Sequence, residues 1–352
     1  MDRYANALAR EIELRATPRP VSTVYFGGGT PSFLGADRLC AALARLREIF
    51  RLQPDCEVTV EANPADVTDE WLAAVRAAGV NRLSLGIQSL RSQDLRFLGR
   101  RHGVAEGMDV VRRAREAGFD NLATDLIVGL PGHTAEAVED ILDEAVEKLT
   151  PDHISCYQLT VAAGTPLAEA VARGEVKMPH ADAGAEIFIA MHETLGRLGY
   201  EGYEVSNFAR SEGYRSRHNS ATWRGEDYLG FGPSAHSFLD PVRSWNVRST
   251  DAYCAALEEG TLPVAGEERL TNAQRAAEIV MLGLRTTDGV SPGKLRALGF
   301  DLLAEKDAEL SEAESSGLIR RSGDRVVPTL RGMALADRLA VELAPDTGVS
   351  GS

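Results

Sequence analysis

Hydrophobic positions alternate between two spacings along residues 1–200 of this chain. Short runs rich in β-branched and aromatic residues, such as residues 22–26 and 122–128, have the character of strands. In segments such as 39–50 the apolar residues recur every three or four positions, as on one face of a helix. A strand followed by a helix recurs roughly every thirty residues, which predicts an α/β fold with a parallel sheet, open or closed into a barrel.

The predicted elements form one long series. Strands are expected at 22–26, 57–61, 82–87, 122–128, 154–160 and 203–205, and helices at 4–15, 39–50, 68–79, within 92–118, 136–149 and 182–198. The series begins on a helix, although the first helix of such a fold needs a sheet face to cover. Either a strand precedes this helix in the fold, or the helix is an addition to it.

A different pattern follows Gly260. Residues 261–266 have the composition of a linker. Beyond them helices are predicted at 274–284, 292–298, 302–317 and 332–343, with a hairpin of residues 318–321 and 325–328 before the last helix. Helices with one small hairpin suggest a winged helix, and its Arg320, Arg321 and Arg325 could contact phosphates. Acidic neighbours dilute that charge, so a lid or packing role is favoured over DNA binding.

Composition narrows the classes of function. Of the 352 residues, 44% are hydrophobic and 26% charged, as in globular proteins, and the net charge of −14 opposes a general affinity for nucleic acid or anionic lipid. There is no apolar run of membrane-spanning length and no signal peptide at the N-terminus, so the cytoplasm is the expected location. The scattered cysteines predict no iron–sulfur or zinc site: Cys40, Cys56, Cys156 and Cys254.

Candidate chemistry lies at the ends of the predicted strands, where parallel α/β proteins bind their ligands. The first strand ends in Gly27-Gly28-Gly29-Thr30-Pro31, whose glycines let the backbone approach a ligand closely. Amides and carboxylates at later strand ends could bind ribose hydroxyls or an amino acid, and an arginine could bind a carboxylate. Together they predict a site for a polar ligand, formed by Glu61, Gln88, Arg100, Asp125 and Gln158.

Five sequence blocks resemble, in order and spacing, the HemN/HemW branch of the radical SAM proteins. They are Tyr-Phe-Gly-Gly-Gly-Thr-Pro at 25–31, Glu-Ala-Asn-Pro at 61–64, Gly-Ile-Gln-Ser at 86–89, Leu-Gly-Arg-Arg-His at 98–102, and Asp-Leu-Ile-Val-Gly-Leu-Pro-Gly at 125–132. Further on, Arg217-His218-Asn219 with Trp223, and residues 228–238, look more like the HemW haem chaperones than the HemN coproporphyrinogen dehydrogenases. The resemblance runs from the first helix to about Leu343.

This resemblance implies a fold and a cofactor site. It implies a partial (β/α)6 radical SAM barrel lacking its first strand in residues 1–200, a HemN/HemW-type extension in 201–260, and a winged-helix-like α+β domain in 267–344. In the family the glycine loop holds the methionine amino group of S-adenosylmethionine, which implies that role for Gly28, Gly29 and Thr30. The other residues implied to line that pocket are Glu61, Gln88, Arg100, Asp125 and, through a backbone contact to the adenine, Gln158.

The family's cluster motif does not occur in this sequence. The family binds a [4Fe-4S] cluster through C-x-x-x-C-x-x-C on the loop after its first barrel strand, upstream of the helix that begins this chain. That cluster is the electron donor for reductive cleavage of S-adenosylmethionine, so radical chemistry is not expected of the sequence as written. We expect a start assigned at an internal methionine, with a natural or artificial truncation as the alternative.

Haem is the second implied ligand. The candidate axial ligands are His236 and His218, the latter in a His-Asn-x-x-Tyr-Trp pattern whose tyrosine position is Thr222 in this chain. The resemblance implies a HemW-like carrier that passes haem to apo-haemoproteins, with any membrane association transient and through those partners. Two alternatives stay open: a coproporphyrinogen III oxidase in the full-length form, and a cluster-free protein that only binds haem or a partner.

Overall fold

The computed structural model describes residues 1–348. The strands, in chain order, are β1 (Pro20–Phe26), β2 (Arg51–Ala62), β3 (Arg82–Gln88), β4 (Leu122–Val128), β5 (His153–Gln158), β6 (Glu201–Gly202), β7 (Asn207–Ala209), β8 (His236–Leu239), β9 (Val242–Asn246), β10 (Val264–Arg269), β11 (Ile319–Ser322) and β12 (Arg325–Pro328). The helices are α1 (Asp2–Leu14), α2 (Ala36–Ile49), α3 (Asp69–Ala77), α4 (Ser92–Phe97), α5 (Val104–Glu116), α6 (Ala135–Leu149), α7 (Pro166–Ala172), α8 (Ala181–Arg197), α9 (Arg217–Trp223), α10 (Thr250–Glu258), α11 (Asn272–Gly283), α12 (Pro292–Ala297), α13 (Leu302–Glu305), α14 (Asp307–Ser315), α15 (Leu330–Ala334) and α16 (Ala336–Leu343).

The largest sheet has seven strands in the order β1-β2-β3-β4-β5-β7-β6. Strands β2 to β5 pair in parallel and in chain order, and helices connect them, as parallel pairing requires. The short strands β7 and β6 then add in antiparallel fashion. The predicted α/β class, with a parallel sheet that stays open rather than closing into a full barrel, is confirmed.

By its internal contacts the chain divides into two compact units. The first, called the barrel unit below, consists of Phe26–Phe33 and Val58–Arg215; the second, called the flanking unit, consists of Met1–Tyr25, Leu34–Glu57 and the chain from Ser216 onward. This grouping reflects only the contacts inside each unit. The division into residues 1–200, 201–260 and 267–344 that the sequence suggests stays a prediction.

Strands of the barrel unit alternate between an apolar and a polar face. Val60, Leu83, Leu85, Leu126 and Ile154 are buried with at most 1% exposure and supply the apolar core. The alternate positions carry polar groups, because successive side chains of a strand point to opposite faces. This polar face contains Thr59, Glu61, Arg82, Ser84, Asp125, His153 and Ser155.

Helix caps follow the sequence closely. The Thr68 side chain accepts the N–H of Trp71 at the start of α3, and the Thr134 side chain accepts that of Ala137 at the start of α6. The apolar face of α6 is buried, as its spacing predicts, and the N-cap predicted at Thr68 is confirmed.

Four predicted elements are wrong in part. The strand predicted at 203–205 is a turn between β6 and β7, closed by a hydrogen bond from Tyr203 N to Asn207 O at 3.1 Å. The linker predicted at 261–266 contains the start of β10, where Gly266 lies opposite Trp245; a Cβ on Gly266 would come within 2.6 Å of that indole. Packing, not flexibility, therefore explains this glycine. The helix predicted at 302–317 is split into α13 and α14, and the helix predicted at 332–343 is split into α15 and α16.

The C-terminal part of the flanking unit has the predicted helices and hairpin. Strands β11 and β12 pair from Ile319 with Pro328 to Ser322 with Arg325, which confirms the hairpin. Beside it α11, α14 and α16 bury one apolar cluster, which includes Val280, Leu310 and Leu339. Strands β8 to β10 form a separate three-stranded sheet. Within residues 1–348 no helix has both the length and the apolar character needed to cross a membrane.

Candidate functional site

All eight residues of the predicted polar-ligand site belong to the barrel unit, at or near the carboxyl ends of its strands. The glycine loop follows β1, Glu61 precedes the last residue of β2, Gln88 and Gln158 are the last residues of β3 and β5, and Asp125 lies within β4. Parallel strands bring these ends to one edge of the sheet. The fold thus assembles residues that are up to 130 positions apart (158 − 28) in the chain.

The glycine loop presents bare backbone to solvent. Residues 27–30 are exposed, and the Gly28 N–H donates to Glu61 Oε2 at 3.2 Å. Gly28 has φ +94°, a conformation that favours glycine, whereas Gly29 has no such requirement. A Cβ on either would meet nothing within 4 Å, so packing within the protein does not explain why both are glycine. Open space beside bare backbone fits a ligand that approaches closely.

Arg100 is a half-buried guanidinium with an unused donor. Its Nε is buried and has no hydrogen-bond partner among residues 1–348. Burial lowers the pKa of Arg100, and the charge of Asp125 opposes that shift. A buried donor without an acceptor is costly, and a ligand carboxylate would satisfy it with a charge-assisted hydrogen bond. The residues present therefore fit the amino acid end of S-adenosylmethionine.

Asp125 lies on the polar face between two serines. Ser84 Oγ donates to Asp125 Oδ1 at 3.0 Å. Burial raises the pKa of Asp125 to about 6, and the charge of Glu61 adds to the rise, while the hydrogen bonds from Ser84 and Ser155 oppose it. The carboxylate is therefore able to accept a hydrogen bond from a ligand hydroxyl at neutral pH.

Gln88 ends β3 in a strained conformation. Its φ of +68° lies in the left-handed region, and the pairing of β3 with β4 shifts between Leu85 and Gln88. The side-chain Nε2 lies 3.0 Å from where a Cβ on Gly86 would stand. Such strain persists only where the surrounding structure fixes it, and it is concentrated at ligand sites.

The Gln158 side chain is occupied by the protein itself. Its Nε2 donates to Gly184 O of α8 at 3.2 Å, and its Cγ lies 2.8 Å from where a Cβ on Gly129 would stand. Gly129 has φ +71°, a backbone conformation that favours glycine, and a Cβ at this position would also collide with the Gln158 side chain. A ligand contact of Gln158 would thus use the backbone, as the resemblance implies.

Sequence reasoning missed a buried carboxyl group, Glu204, in the turn between β6 and β7. Glu204 is 1% exposed, and burial raises its pKa to about 7. Its neighbour Asn207 lies in register with Ser155, which itself lies in register with Asp125. The missed signal is a single glutamate between Tyr203 and Val205, in a segment otherwise suited to a strand.

The two haem-ligand candidates belong to the flanking unit. The His218 ring stacks on Tyr25 with centroids 4.5 Å apart and planes at 17°, and its Nδ1 lies 3.5 Å from Thr23 Oγ1. The Glu57 carboxylate accepts the N–H groups of Arg217 and His218 at 3.0 and 3.1 Å, which fixes the start of α9. His218 is therefore held in one orientation.

His236 is exposed at the start of β8. It lies opposite Trp245 of β9, with ring centroids 6.1 Å apart and planes at 30°. The pair presents an imidazole and an indole on one face of the small sheet. Among the described residues no hydrogen bond or ring contact joins His236 to His218, so the structure does not bring the two candidates together.

The cysteines do not fit a cluster. All four are reduced thiols rather than disulfide partners; Cys56, Cys156 and Cys254 are buried, and burial raises the pKa of the Cys156 thiol. Within residues 1–348 no group of three His, Cys, Asp or Glu side chains is arranged to hold a metal ion. We therefore assign none of these cysteines to a [4Fe-4S] cluster.

Replacing Asp125 by asparagine should change how stability depends on pH. A folded-state pKa of about 6, against about 3.9 unfolded, means that the folded state binds more protons between those values, so wild-type stability falls as pH rises from about 4 to about 6. The asparagine side chain of the variant does not titrate, so at pH 7 the variant should be more stable by about 2 kcal/mol. Urea denaturation at several pH values measures this.

Asp120, an exposed aspartate just before β4, is the matched control. Asp120→Asn should follow the wild-type pH dependence. If Asp125→Asn also followed it, the pKa of Asp125 would not be raised.

Comparison with known proteins places this geometry in a family. Residues 2–145 match the model of the radical SAM superfamily, and residues 270–335 match that of the HemN C-terminal domain. The chain is 40% identical to the heme chaperone HemW of Mycobacterium tuberculosis over 96% of this chain and 85% of that protein. The chain belongs to the HemW family of radical SAM proteins.

A second HemW relative and a solved structure agree with this. The heme chaperone HemW of Bacillus subtilis is 33% identical over 96% of this chain and 90% of that protein. The coproporphyrinogen III oxidase HemN of Escherichia coli, a radical SAM enzyme, has a similar structure, with a TM-score of 0.81 and 26% identity over 97% of this chain and 83% of that one. The HemW family and the partial-barrel fold predicted from the sequence are both confirmed.

Proposed function

We propose that this protein is a haem chaperone that binds haem and S-adenosylmethionine and delivers haem to apo-haemoproteins. The observation that carries the proposal is the likeness of nearly the whole chain to proteins named heme chaperones. Two features of the structure support it: a barrel-unit site suited to an amino acid and a ribose, and flanking-unit histidines beside aromatic rings.

In the barrel unit the proposed roles follow from charge. Arg100 binds the carboxylate of S-adenosylmethionine. Its ammonium group donates hydrogen bonds to Glu61 and to the loop of Gly28, Gly29 and Thr30. Asp125 accepts from a ribose hydroxyl. When bound, S-adenosylmethionine supplies an activated sulfonium. The chain's own residues bind and orient it.

In the flanking unit His218 is the proposed axial ligand. A metal-bound histidine uses one ring nitrogen and usually donates a hydrogen bond from the other, which fixes the tautomer. Thr23 Oγ1 is 3.5 Å from Nδ1, so ligation through Nε2 is the arrangement it supports. His236 with Trp245 is the second candidate, where a flat macrocycle could stack on the indole.

The His218→Ala variant should lose most of its haem affinity, because removing the axial ligand leaves only apolar contact with the macrocycle. Titration of the purified chain with haem, followed by the Soret band, measures this, and we expect affinity to fall about tenfold or more. His180→Ala, which removes another exposed histidine, is the control and should bind like wild type.

An unchanged Soret band in His218→Ala together with a lost band in His236→Ala would transfer the ligand role to His236. If wild type bound no haem, the chaperone proposal itself would fail.

Oxygen-independent coproporphyrinogen III oxidation is the second candidate function, and the HemN likeness over 97% of the chain favours it. Anaerobic incubation of a form that carries the family's cluster motif with coproporphyrinogen III, S-adenosylmethionine and a reductant tests it through formation of protoporphyrinogen. A third candidate, binding of haem or a partner without S-adenosylmethionine, predicts haem binding but no S-adenosylmethionine binding.

A further inference from the structure

In the buried carboxyl group of Glu204, one oxygen accepts hydrogen bonds and the other has no hydrogen-bond partner among the described residues. The Asn207 side chain and the N–H groups of Ser206 and Asn207 donate to the carboxylate. Its Oε1 is nevertheless buried without a hydrogen-bond partner in the described part of the chain, and so is Asn207 Oδ1. Glu204 is 1% exposed and Asn207 5% exposed. Native proteins rarely leave such acceptors unsatisfied unless water or a ligand reaches them.

The turn that carries Glu204 is fixed from three sides. Tyr203 N donates to Asn207 O at 3.1 Å across the turn, and Cys156 N of β5 donates to Ser206 O at 2.8 Å. His192 Nε2 of α8 lies 3.2 Å from Val205 O. These contacts fix the backbone of the turn, and the donors from Ser206 and Asn207 hold the Glu204 carboxylate in place. The unused oxygen is therefore a built feature of the polar face.

Glu204 shares this face with the proposed cofactor site. The Tyr157 hydroxyl has its pKa raised to about 12, first by burial and then by the charges of Asp125, Glu204 and Glu61. The Tyr157 hydroxyl therefore interacts electrostatically with three carboxyl groups: Asp125 of β4, Glu204 of the β6–β7 turn and Glu61 of β2. Asp125, Ser155 and Asn207 lie in register across β4, β5 and β7, so the groups line one row of the sheet.

This row has more acceptors than donors. Positive charge near it comes from Arg82 and Arg100, whose Nε atoms are buried without partners in residues 1–348. The carboxyl groups of Glu61, Asp125 and Glu204 outnumber them. Such a face favours a ligand with net positive charge and disfavours one with several carboxylates and no cationic group of its own to balance them, such as the two propionates of haem.

We infer that Glu204 determines the charge of the small molecule bound on the polar face, favouring the sulfonium of S-adenosylmethionine over the neutral thioether of S-adenosylhomocysteine. This inference rests on the proposed S-adenosylmethionine site and names a specificity residue for it. The two molecules differ by one methyl group and one positive charge, so their affinity ratio reports mainly on charge. Glu204 acts through electrostatic attraction, which is strong where water is excluded.

Isothermal titration of the purified chain with S-adenosylmethionine and with S-adenosylhomocysteine tests it. We expect wild type at pH 8 to bind S-adenosylmethionine about tenfold more tightly, and Glu204→Gln to lose most of that preference while its S-adenosylhomocysteine affinity is unchanged. Glutamine keeps the shape and an acceptor for the turn. Glu201→Gln, which removes an exposed glutamate paired with Arg215, is the matched control and should keep the wild-type ratio.

The pH dependence gives a second readout. Burial raises the pKa of Glu204 to about 7, so the wild-type preference should grow between pH 6 and pH 8, and this growth should be much smaller in Glu204→Gln. Asp125, with a pKa raised to about 6, is about half ionised at pH 6 and completes its ionisation over this range in both proteins, so the difference between them reports on Glu204; Tyr157 stays neutral. Burial lowers the pKa of His192 behind the turn to about 4, so it stays neutral as well; Glu61, Arg82 and Arg100 are the other charged groups facing this row.

The outcomes separate this inference from the proposed function. If wild type binds S-adenosylmethionine but Glu204→Gln keeps the full preference, or wild type has none, the inference is overturned and the cofactor site stands. If wild type binds no S-adenosylmethionine, both the cofactor part of the proposed function and the inference are overturned.

Discussion

Replacing Glu11 by alanine is expected to lower the free energy of unfolding by about 3–5 kcal/mol, because it breaks a buried network of hydrogen bonds to a charged group. Glu11 lies on α1 with 0% exposure. Its Oε1 accepts from Arg15 Nε and Asn246 Nδ2, both at 2.8 Å, and its Oε2 accepts from Gly232 N at 2.8 Å and Tyr253 OH at 2.7 Å. Alanine would leave four donors, three of them buried, without their acceptor.

Urea denaturation of wild type and Glu11→Ala measures the difference. Glu13→Ala is the matched control, because Glu13 lies on the same helix and pairs with Arg10 and Arg45 but is partly exposed, so its loss should cost much less than that of Glu11. Equal losses in the two variants would contradict a special role for burial. The loop containing Gly232 leads into His236, so Glu11→Ala should also weaken any haem binding that uses His236.

The second large effect is expected on ligand binding, without a loss of stability. Arg100→Ala should weaken S-adenosylmethionine binding by about 10-fold to 100-fold, since a charge-assisted hydrogen bond to a carboxylate contributes about 1.5–3 kcal/mol. Thermal stability without ligand should stay the same or rise, because the Arg100 Nε is buried and has no partner in the described part of the chain, and its removal ends that cost. Calorimetric titration and thermal denaturation of the same samples measure both quantities.

Arg101→Ala is the control for Arg100→Ala. Arg101 is the next residue, is exposed, and donates to Asp66 at 2.7 Å, so its loss should leave S-adenosylmethionine affinity nearly unchanged. A large drop in stability of Arg100→Ala would show that the arginine has a structural partner. Unchanged affinity would remove Arg100 from the proposed site.

Features that depend on neighbouring residues were predictable from the sequence. Strand and helix periodicity predicted the order of elements through α8 except for the short helix α7, and Thr68 predicted the start of α3, because caps and amphipathic faces are properties of short segments. Motifs spread over about a hundred residues predicted the HemW family, since each block carries little information alone but their order and spacing carry much.

Features that depend on distant contacts were not predictable. The sequence around Val205 suits a strand, but contacts of Ser206 with Cys156 of β5 and of Val205 with His192 of α8 hold this segment as a turn. The glycine of the predicted linker is needed because Trp245, twenty-one residues earlier (266 − 245), fills the space above it. None of these partners can be identified from local composition.

The sequence by itself determined the α/β order, the family and the set of strand-end residues, because these follow from periodicity and from motifs read along the chain. Only the tertiary structure decided how those residues are used. Within residues 1–348 it placed the Gln158 side chain against Gly184, left the Arg100 Nε without a partner, and buried Glu204 in the turn between β6 and β7. Burial and hydrogen-bond satisfaction arise from packing between segments far apart in sequence, and they set the electrostatics of the proposed site.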